Sequence, residues 1–200
     1  MFKFVFDTVL AAILLLVLSP VILVCVIAIR RDSPGPGIFR QTRVGRHEKS
    51  FTCYKLRTMA VTTANVPSHE AAAGNITAMG GFLRRSKLDE LPQLINVLRG
   101  EMSFVGPRPC LPQQAELIRQ RRDRGVFVIR PGITGLAQIQ GVDMSNPAKL
   151  AQIDGEYVRS MSFMGDLRII LATVSGSGQG DRIRSTENPP TNRPSTDDRA

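Results

Sequence analysis

From Phe4 to Ile29 apolar residues run almost without interruption, the exceptions being Asp7, Thr8 and the pair Ser19-Pro20. About 20 such residues are enough to cross a bilayer, so the pattern predicts a membrane segment over residues 1–31. A cleaved signal peptide fits less well, because its apolar region is shorter and ends at small residues, whereas this run ends at Arg30-Arg31. Pro20 removes a backbone donor near the middle of the run, and the Ser19 hydroxyl can satisfy part of the backbone so freed. A bend is expected there. Lys3 precedes the run and Arg30-Arg31 follows it, and positive charge at both ends is best accommodated when both ends face the cytoplasm. A re-entrant helix–break–helix meets that condition. A kinked helix that crosses once is the alternative, and the run by itself leaves both open.

Asp32-Ser33-Pro34-Gly35-Pro36-Gly37 then breaks the pattern with turn formers. Ile38 to Val44 and Ser50 to Arg57 read as two strands around a polar turn, a small β-hairpin. Alternation with a period of two sets Phe51, Cys53, Lys55 and Arg57 on one face. Two cations thus project together, although an edge strand protected by charge would look the same. Thr62 to Ala78 is polar and Ala-rich and reads as a loop with at most a short helix. A helix is expected from Gly80 to Arg85. Leu88, Leu91, Leu94, Ile95 and Leu98 follow at helical spacing up to a stop at Gly100, which puts Pro92 in the first turn. Gln113 to Arg122, Asn146-Pro147 to Ser160, and Asp166 to Val174 complete the helices. The basic run Arg119 to Arg124 suits an anionic lipid surface or an ordinary solvated face. Past Ser175 too little apolar surface remains to offset ordering entropy. The reading is therefore an α+β fold: a membrane hairpin at residues 1–31, a cytoplasmic catalytic domain at residues 32–174 with several amphipathic helices around one core, and a disordered tail at residues 175–200.

Composition narrows the function. The 200 residues carry a net charge of +9 and a pI near 10.3, which attracts nucleic acid, nucleotide phosphates or the anionic face of a membrane. Two Tyr and no Trp leave few platforms for stacking bases, which weighs against nucleic acid. Cys25, Cys53 and Cys110 are odd in number and form no CxxC pair, so neither a disulfide framework nor a zinc site is suggested. His47 and His69 are isolated and read as surface residues. Asn75-Ile76-Thr77 fits a glycosylation sequon, which has no meaning in a cytoplasmic domain.

The window Arg84-Arg85-Ser86-Lys87-Leu88-Asp89-Glu90-Leu91-Pro92 is the most informative. Pro92 at a helix start places Asp89 and Glu90 among exposed backbone donors that keep a carboxylate ionised. An ionised carboxylate is what attack on phosphorus requires, and Arg84, Arg85 and Lys87 are close enough to neutralise phosphate oxygens. Ordinary capping is the plain alternative, since Ser86 with Asp89 resembles a capping box. Gly106-Pro107-Arg108-Pro109 mounts an Arg between two rigid residues, and Arg130-Pro131-Gly132-Ile133-Thr134-Gly135 repeats a cation on a tight turn, with glycines that let a ligand approach the backbone. Lys55, Arg57, Arg84, Arg108 and Arg130 together suggest a diphosphate cleft.

Phe51 to Met59, Leu83-Arg84-Arg85, Leu88 to Leu98, Met102 to Pro109 and Arg130 to Gly135 together closely resemble the bacterial sugar transferase family, the monotopic phosphoglycosyl transferases that begin glycoconjugate assembly. The resemblance extends from the membrane segment to about Val174. It implies that Ser19-Pro20 shapes a re-entrant helix in one leaflet of the bacterial inner membrane, with the catalytic domain on the cytoplasmic face. It implies that Asp89 attacks the sugar-linked phosphate of a UDP-sugar, that UMP leaves, and that the covalent phosphosugar passes to polyprenyl (undecaprenyl) phosphate. Magnesium (Mg2+) would be held at Asp89 and Glu90 with the substrate diphosphate, and Glu90 would assist as ligand or base. Lys55, Arg84 and Arg108 become the expected phosphate contacts, with Arg57, Arg85 and Arg130 behind them. Glu101 stands where the family usually has Asp, so the acid is kept. Asp154, Tyr157 and Asp166 match positions near the family's C-terminal helices, where sequence does not separate binding from packing. The chain looks like the family's minimal core, without added helices or domains. Membrane lipid and downstream glycosyltransferases are implied partners, and nucleic acid is not. No motif encodes the sugar, for which small family members suggest an N-acetylated or bacillosamine-like hexosamine. The competing reading is a non-catalytic membrane-anchored scaffold that binds nucleotide sugars through the same cleft.

Overall fold

The structure, a computed structural model, describes residues 2–61 and 75–176. A long helix α1 (Phe2–Asp32) leads into a hairpin of β1 (Ile38–Val44) and β2 (Ser50–Leu56). Helix α2 (Ala78–Arg85), a 3₁₀ segment (Leu88–Gln93) and α3 (Leu94–Leu98) follow. Then come β3 (Ser103–Val105), α4 (Ala115–Asp123), β4 (Gly132–Thr134), α5 (Leu136–Ile139), α6 (Pro147–Ser160) and α7 (Phe163–Val174). The class is α+β, as expected. The hairpin is antiparallel, with Ile38 opposite Leu56 and Val44 opposite Ser50. A second pair, β3 with β4, is parallel and sets Ser103 opposite Gly132 and Val105 opposite Thr134.

Most boundaries follow from local chemistry. Asn146 Oδ1 accepts from the Lys149 amide at 3.1 Å and starts α6 where the sequence indicated. α7 begins at Phe163, ahead of the expected Asp166, because Ser162 Oγ accepts from the Gly165 amide at 3.1 Å. Leu88 to Leu98 is not one α-helix with Pro92 in its first turn. Pro92 has no N–H to give the Leu88 carbonyl, so the segment starts as a 3₁₀ helix at Leu88 and becomes α-helical only at Leu94. The loop expected over Thr62 to Ala78 falls largely outside the described residues, and so does the tail beyond Gly176. Ala78 itself opens α2.

α1 runs without interruption through Pro20, which corrects the expected break at Ser19-Pro20. Pro20 cannot donate to the Leu16 carbonyl, but the Ser19 hydroxyl donates to that same carbonyl at 2.9 Å. The acceptor is satisfied and the turn persists. Asp7, Ala11, Cys25 and Ile29 are buried, and their spacing puts them on one stripe facing the rest of the protein. Ala11 packs with Cys53, Leu94, Val97 and Met102, and Cys25 and Ile29 pack with Leu56 and Leu83. The outer stripe, including Val9, Ile13, Leu16, Val17, Leu23 and Val24, is exposed and apolar.

Both ends of α1 are tied to the same domain. Near the start, Lys3 pairs with Asp166, and Asp7 Oδ2 accepts from Ser103 Oγ at 2.8 Å and Arg130 Nη2 at 3.0 Å. At the far end, Arg57 donates to the carbonyls of Ser33 at 2.7 Å, Ile29 at 3.4 Å and Pro34.

Candidate active site

The segment that carries the acidic pair is aimed by its neighbours. Gly80 of α2 lies directly on Thr58, where a Cβ would come within 2.0 Å of the Thr58 carbonyl oxygen. That contact lets Arg84 Nε reach Thr58 Oγ1 at 2.9 Å. The Ser86 hydroxyl turns back to the carbonyls of Phe82 and Leu83 at 2.9 and 3.2 Å, so it does not cap the next helix and the capping box is not formed. Lys87 adopts φ 56° and ψ 14°, a left-handed conformation that costs a non-Gly residue about 1–2 kcal/mol. Its Nζ holds the Thr173 carbonyl at the end of α7 at 3.2 Å. This reversal delivers Asp89 and Glu90 in the first turn of the 3₁₀ segment.

There the two carboxylates meet different surroundings. Glu90 Oε1 accepts from Lys55 Nζ at 2.9 Å and from Arg108 Nη1 at 3.0 Å. The three side chains are 14–19% exposed, so their charges are weakly screened. Burial would raise the Glu90 pKa, but the charges and hydrogen bonds of Lys55 and Arg108 outweigh it and bring it to about 2. For Asp89 the balance is reversed. Burial, with the Glu90 charge added, pushes it up to about 6 although Lys55, Arg108 and Arg84 draw it down. A helix start therefore does not hold Asp89 at an ordinary carboxylate pKa, as the sequence had suggested. Adjacent carboxyls pushed in opposite directions are a mark of divided roles. Glu90 is a fixed anion, whereas Asp89 is the more basic carboxylate of the pair, a property that suits nucleophilic attack.

Of the cations expected at this cleft, Lys55 and Arg108 bond Glu90, and Arg84 is near enough to act on Asp89. Arg85 is exposed on α2. Arg57 and Arg130 are not brought into the cluster: Arg57 binds the carbonyls at the end of α1, and Arg130 binds Asp7 and the Met102 carbonyl with its guanidinium 4.8 Å from the Phe4 ring centre. The glycines of the Arg130–Gly135 turn admit neighbouring backbone. A Cβ on Gly132 would lie 2.1 Å from the Gly106 nitrogen, and one on Gly135 would lie 2.3 Å from the Gly106 oxygen. Among the described residues no three His, Cys, Asp or Glu side chains group into a metal cage. Asp89 and Glu90 offer the one or two carboxylates by which magnesium is usually held when phosphates complete its shell.

Two structurally important residues, Asn96 and Arg121, were not singled out individually by sequence. Asn96 is fully buried, donates to the Thr52 carbonyl at 2.6 Å and to Glu101 Oε2 at 2.7 Å, and accepts from the Tyr54 amide at 3.2 Å, so it joins α3 to β2. Arg121 is buried against Asp154 with N–O distances of 2.9 and 2.7 Å. Its spacing of four from Leu117, an inward residue of α4, was the available signal. Tyr157 OH donates to Asp166 Oδ1 at 2.7 Å, so Asp154, Tyr157 and Asp166 all join elements of the domain to one another. Asp7, an acid inside an apolar run, was visible as an anomaly of the kind that marks a partner elsewhere.

Comparison with known proteins bears on this geometry. A description of the family "Bacterial sugar transferase" matches residues 1–179. The UDP-glucose:undecaprenyl-phosphate glucose-1-phosphate transferase of Escherichia coli (strain K12) is 41% identical over 177 residues, covering 84% of this chain and 38% of its own length. The protein of the same name from Caulobacter vibrioides is 40% identical over 183 residues, covering 86% of this chain and 68% of its own length. Exopolysaccharide production protein PSS of Rhizobium leguminosarum bv. phaseoli is 42% identical over 175 residues, 80% of this chain and 86% of its own length. The chain thus spans well under half of the Escherichia coli relative and most of the Rhizobium one.

Proposed function

The chain belongs to the bacterial sugar transferase family, and on that premise we propose that it transfers a sugar 1-phosphate from a UDP-sugar to undecaprenyl phosphate at a bacterial inner membrane. The observation that carries this is the acid pair itself, with Glu90 held by Lys55 at 2.9 Å and Arg108 at 3.0 Å, and Asp89 next to it, pushed up chiefly by burial. In the first half-reaction an Asp89 carboxylate oxygen bonds to the sugar-linked phosphorus, the bond to the bridging oxygen breaks, and UMP leaves with that oxygen. In the second, an oxygen of the lipid phosphate bonds to the same phosphorus and the bond to Asp89 breaks. Asp89 is then a free carboxylate again and the product is a polyprenyl diphosphate sugar. Arg108 and Lys55 orient the donor phosphates, and Arg84 adds positive charge where the leaving phosphate develops negative charge. Magnesium bound by Asp89 and Glu90 with the diphosphate would supply further neutralisation of that charge. The names of the relatives, UDP-glucose:undecaprenyl-phosphate glucose-1-phosphate transferases, favour UDP-glucose as the first donor to try, ahead of a hexosamine.

The attachment of both α1 ends to one domain supports the monotopic reading, because a helix that crossed the bilayer would carry one end away from that domain. On this reading the helix lies with its apolar outer stripe in one leaflet, and the catalytic domain faces the cytoplasm, where a polyprenyl phosphate presents its head group. Cysteine probes at the N-terminus and after Arg31 should both label from the cytoplasmic side, and periplasmic labelling of the N-terminus would refute it.

Incubation with radiolabelled UDP-glucose and magnesium, without acceptor, should release UMP and leave label on the wild-type protein, with none on Asp89→Asn. Direct transfer to lipid with no labelled protein at any time would exclude the covalent route. Donor binding without UMP release across a panel of UDP-sugars would favour the scaffold.

A further inference from the structure

The loop Gly106-Pro107-Arg108-Pro109 contains two residues with no N–H, so it has few donors with which to hold itself. Its carbonyls are instead held from outside, one after another. The Gly132 amide donates to the Pro107 carbonyl at 3.0 Å, and the Val44 amide donates to the Cys110 carbonyl at 2.9 Å. The two between them are taken by guanidinium groups. Arg121 Nη1 donates to the Arg108 carbonyl at 2.9 Å, and Arg43 Nη1 donates to the Pro109 carbonyl at 2.9 Å.

Both guanidiniums are buried and fixed from behind. Arg121 of α4 is 1% exposed and forks onto Asp154 of α6, itself 4% exposed. Arg43 of β1 is buried and bonds Gln41 Oε1 through Nε at 2.9 Å and also through Nη2. A buried ion pair is a poor source of stability, since well-packed apolar replacements are often neutral or better. What apolar side chains cannot provide is a donor to a carbonyl. That donor goes to the one residue of the loop whose side chain reaches Glu90.

Resting on the transferase reading above, we propose that Arg121, supported by Asp154, and Arg43 are positioning residues: they clamp the backbone of Arg108 and Pro109 and so fix where the Arg108 guanidinium meets Glu90 and the donor diphosphate. The long side chain of Arg108 amplifies any tilt of its backbone, and a misplacement of about 1 Å at a reacting centre lowers rates by about 100-fold. The clamp reaches the chemistry only through Arg108. Its loss should therefore matter only when Arg108 is present.

The test is a double-mutant cycle on the full chain in nanodiscs, read as kcat/KM for UMP release from UDP-glucose with undecaprenyl phosphate and magnesium. Arg121→Met combined with Asp154→Leu keeps the interior filled and uncharged while removing the bond to the Arg108 carbonyl. It should lower kcat/KM about 10- to 100-fold with the thermal midpoint nearly unchanged, and have less than about a threefold further effect in an Arg108→Ala background. Arg43→Lys, which retains the charge but not the fork, gives a second cycle with the same expectation, and it serves alone if the paired replacement does not fold. Equal losses in both backgrounds, or a folded clamp variant with wild-type activity, would overturn the proposal. Wild-type protein that releases no UMP, or Arg108→Ala with full activity, would instead sink the reading of the site on which it rests.

Discussion

Replacing Asp89 by Asn should make the protein more stable while abolishing its activity. The Asp89 pKa rises from 3.8 to about 6 in the folded protein, chiefly through burial. At about 1.4 kcal/mol for each pKa unit, keeping this carboxylate ionised costs the fold about 3 kcal/mol at most. Remaining solvent access and the charge shared with Glu90 reduce the gain expected from Asn to about 1–2 kcal/mol. Because the folded value lies above the unfolded one, the penalty is complete above pH 6 and fades as pH falls from 6 towards 3.8. For a chain of this size each kcal/mol corresponds to about 2–4 °C, so Asp89→Asn should melt about 2–8 °C above wild type at pH 7.5. The two proteins should converge near pH 4. Circular dichroism melts in detergent at a series of pH values measure this, and UMP release in parallel should fall by about 10³-fold or more. A variant that is less stable than wild type at pH 7.5, or whose advantage persists unchanged at pH 4, would refute the claim that burial strains Asp89.

Glu90→Gln should act in the opposite direction. The Glu90 pKa is depressed from 4.5 to about 2, so its stabilisation is present above pH 4.5 and is lost as pH falls through 2. After a discount for screening, the variant should lose about 1–3 kcal/mol at pH 7.5 in the same melts. Chelation with EDTA should stop UMP release, with magnesium restoring it and calcium doing so poorly, because the smaller ion demands a tighter octahedral shell. Gly132→Ala should lower the unfolding free energy by about 3 kcal/mol or more, since its Cβ would stand 2.1 Å from the Gly106 nitrogen and 2.4 Å from the Thr134 oxygen. Denaturant titration that finds Gly132→Ala as stable as wild type would show that the two turns do not pack as described.

The sequence made some of this plain because the signals are local. Alternation defined the hairpin to within a residue, Asn146-Pro147 marked the start of α6, and an apolar run flagged α1. The β3–β4 pair was not legible, since strands of three residues have no measurable period and their register depends on Gly106 and Gly132 meeting across the fold. The site was legible through its motif, but not the fate of each cation. Lys55, Arg57 and Arg130 stand at or beside strand ends and Arg108 in the turn after β3, and local sequence reports that position without saying what lies opposite. Opposite Lys55 and Arg108 is Glu90, whereas Arg57 faces the carbonyls at the end of α1 and Arg130 faces Asp7.

That allocation explains why two neighbouring acids differ. Asp89 and Glu90 share one turn and one backbone environment, so the helix start itself treats them alike. The difference comes from what each side chain meets, since Lys55 Nζ and Arg108 Nη1 both donate to Glu90 and pull its pKa down. Glu90 thereby compensates cations that would otherwise repel one another in a shielded cleft. On the proposed function a donor diphosphate meets these cations in an exchange, with phosphate oxygens competing against Glu90 for the same donors. Each bond that shifts from Glu90 to phosphate leaves the acid pair more negative, which is the condition under which an added divalent cation binds best. On that reading nucleophile, anion and metal requirement follow from one arrangement, and Arg108 is its pivot because it joins Glu90 to a loop whose backbone is held by the interior.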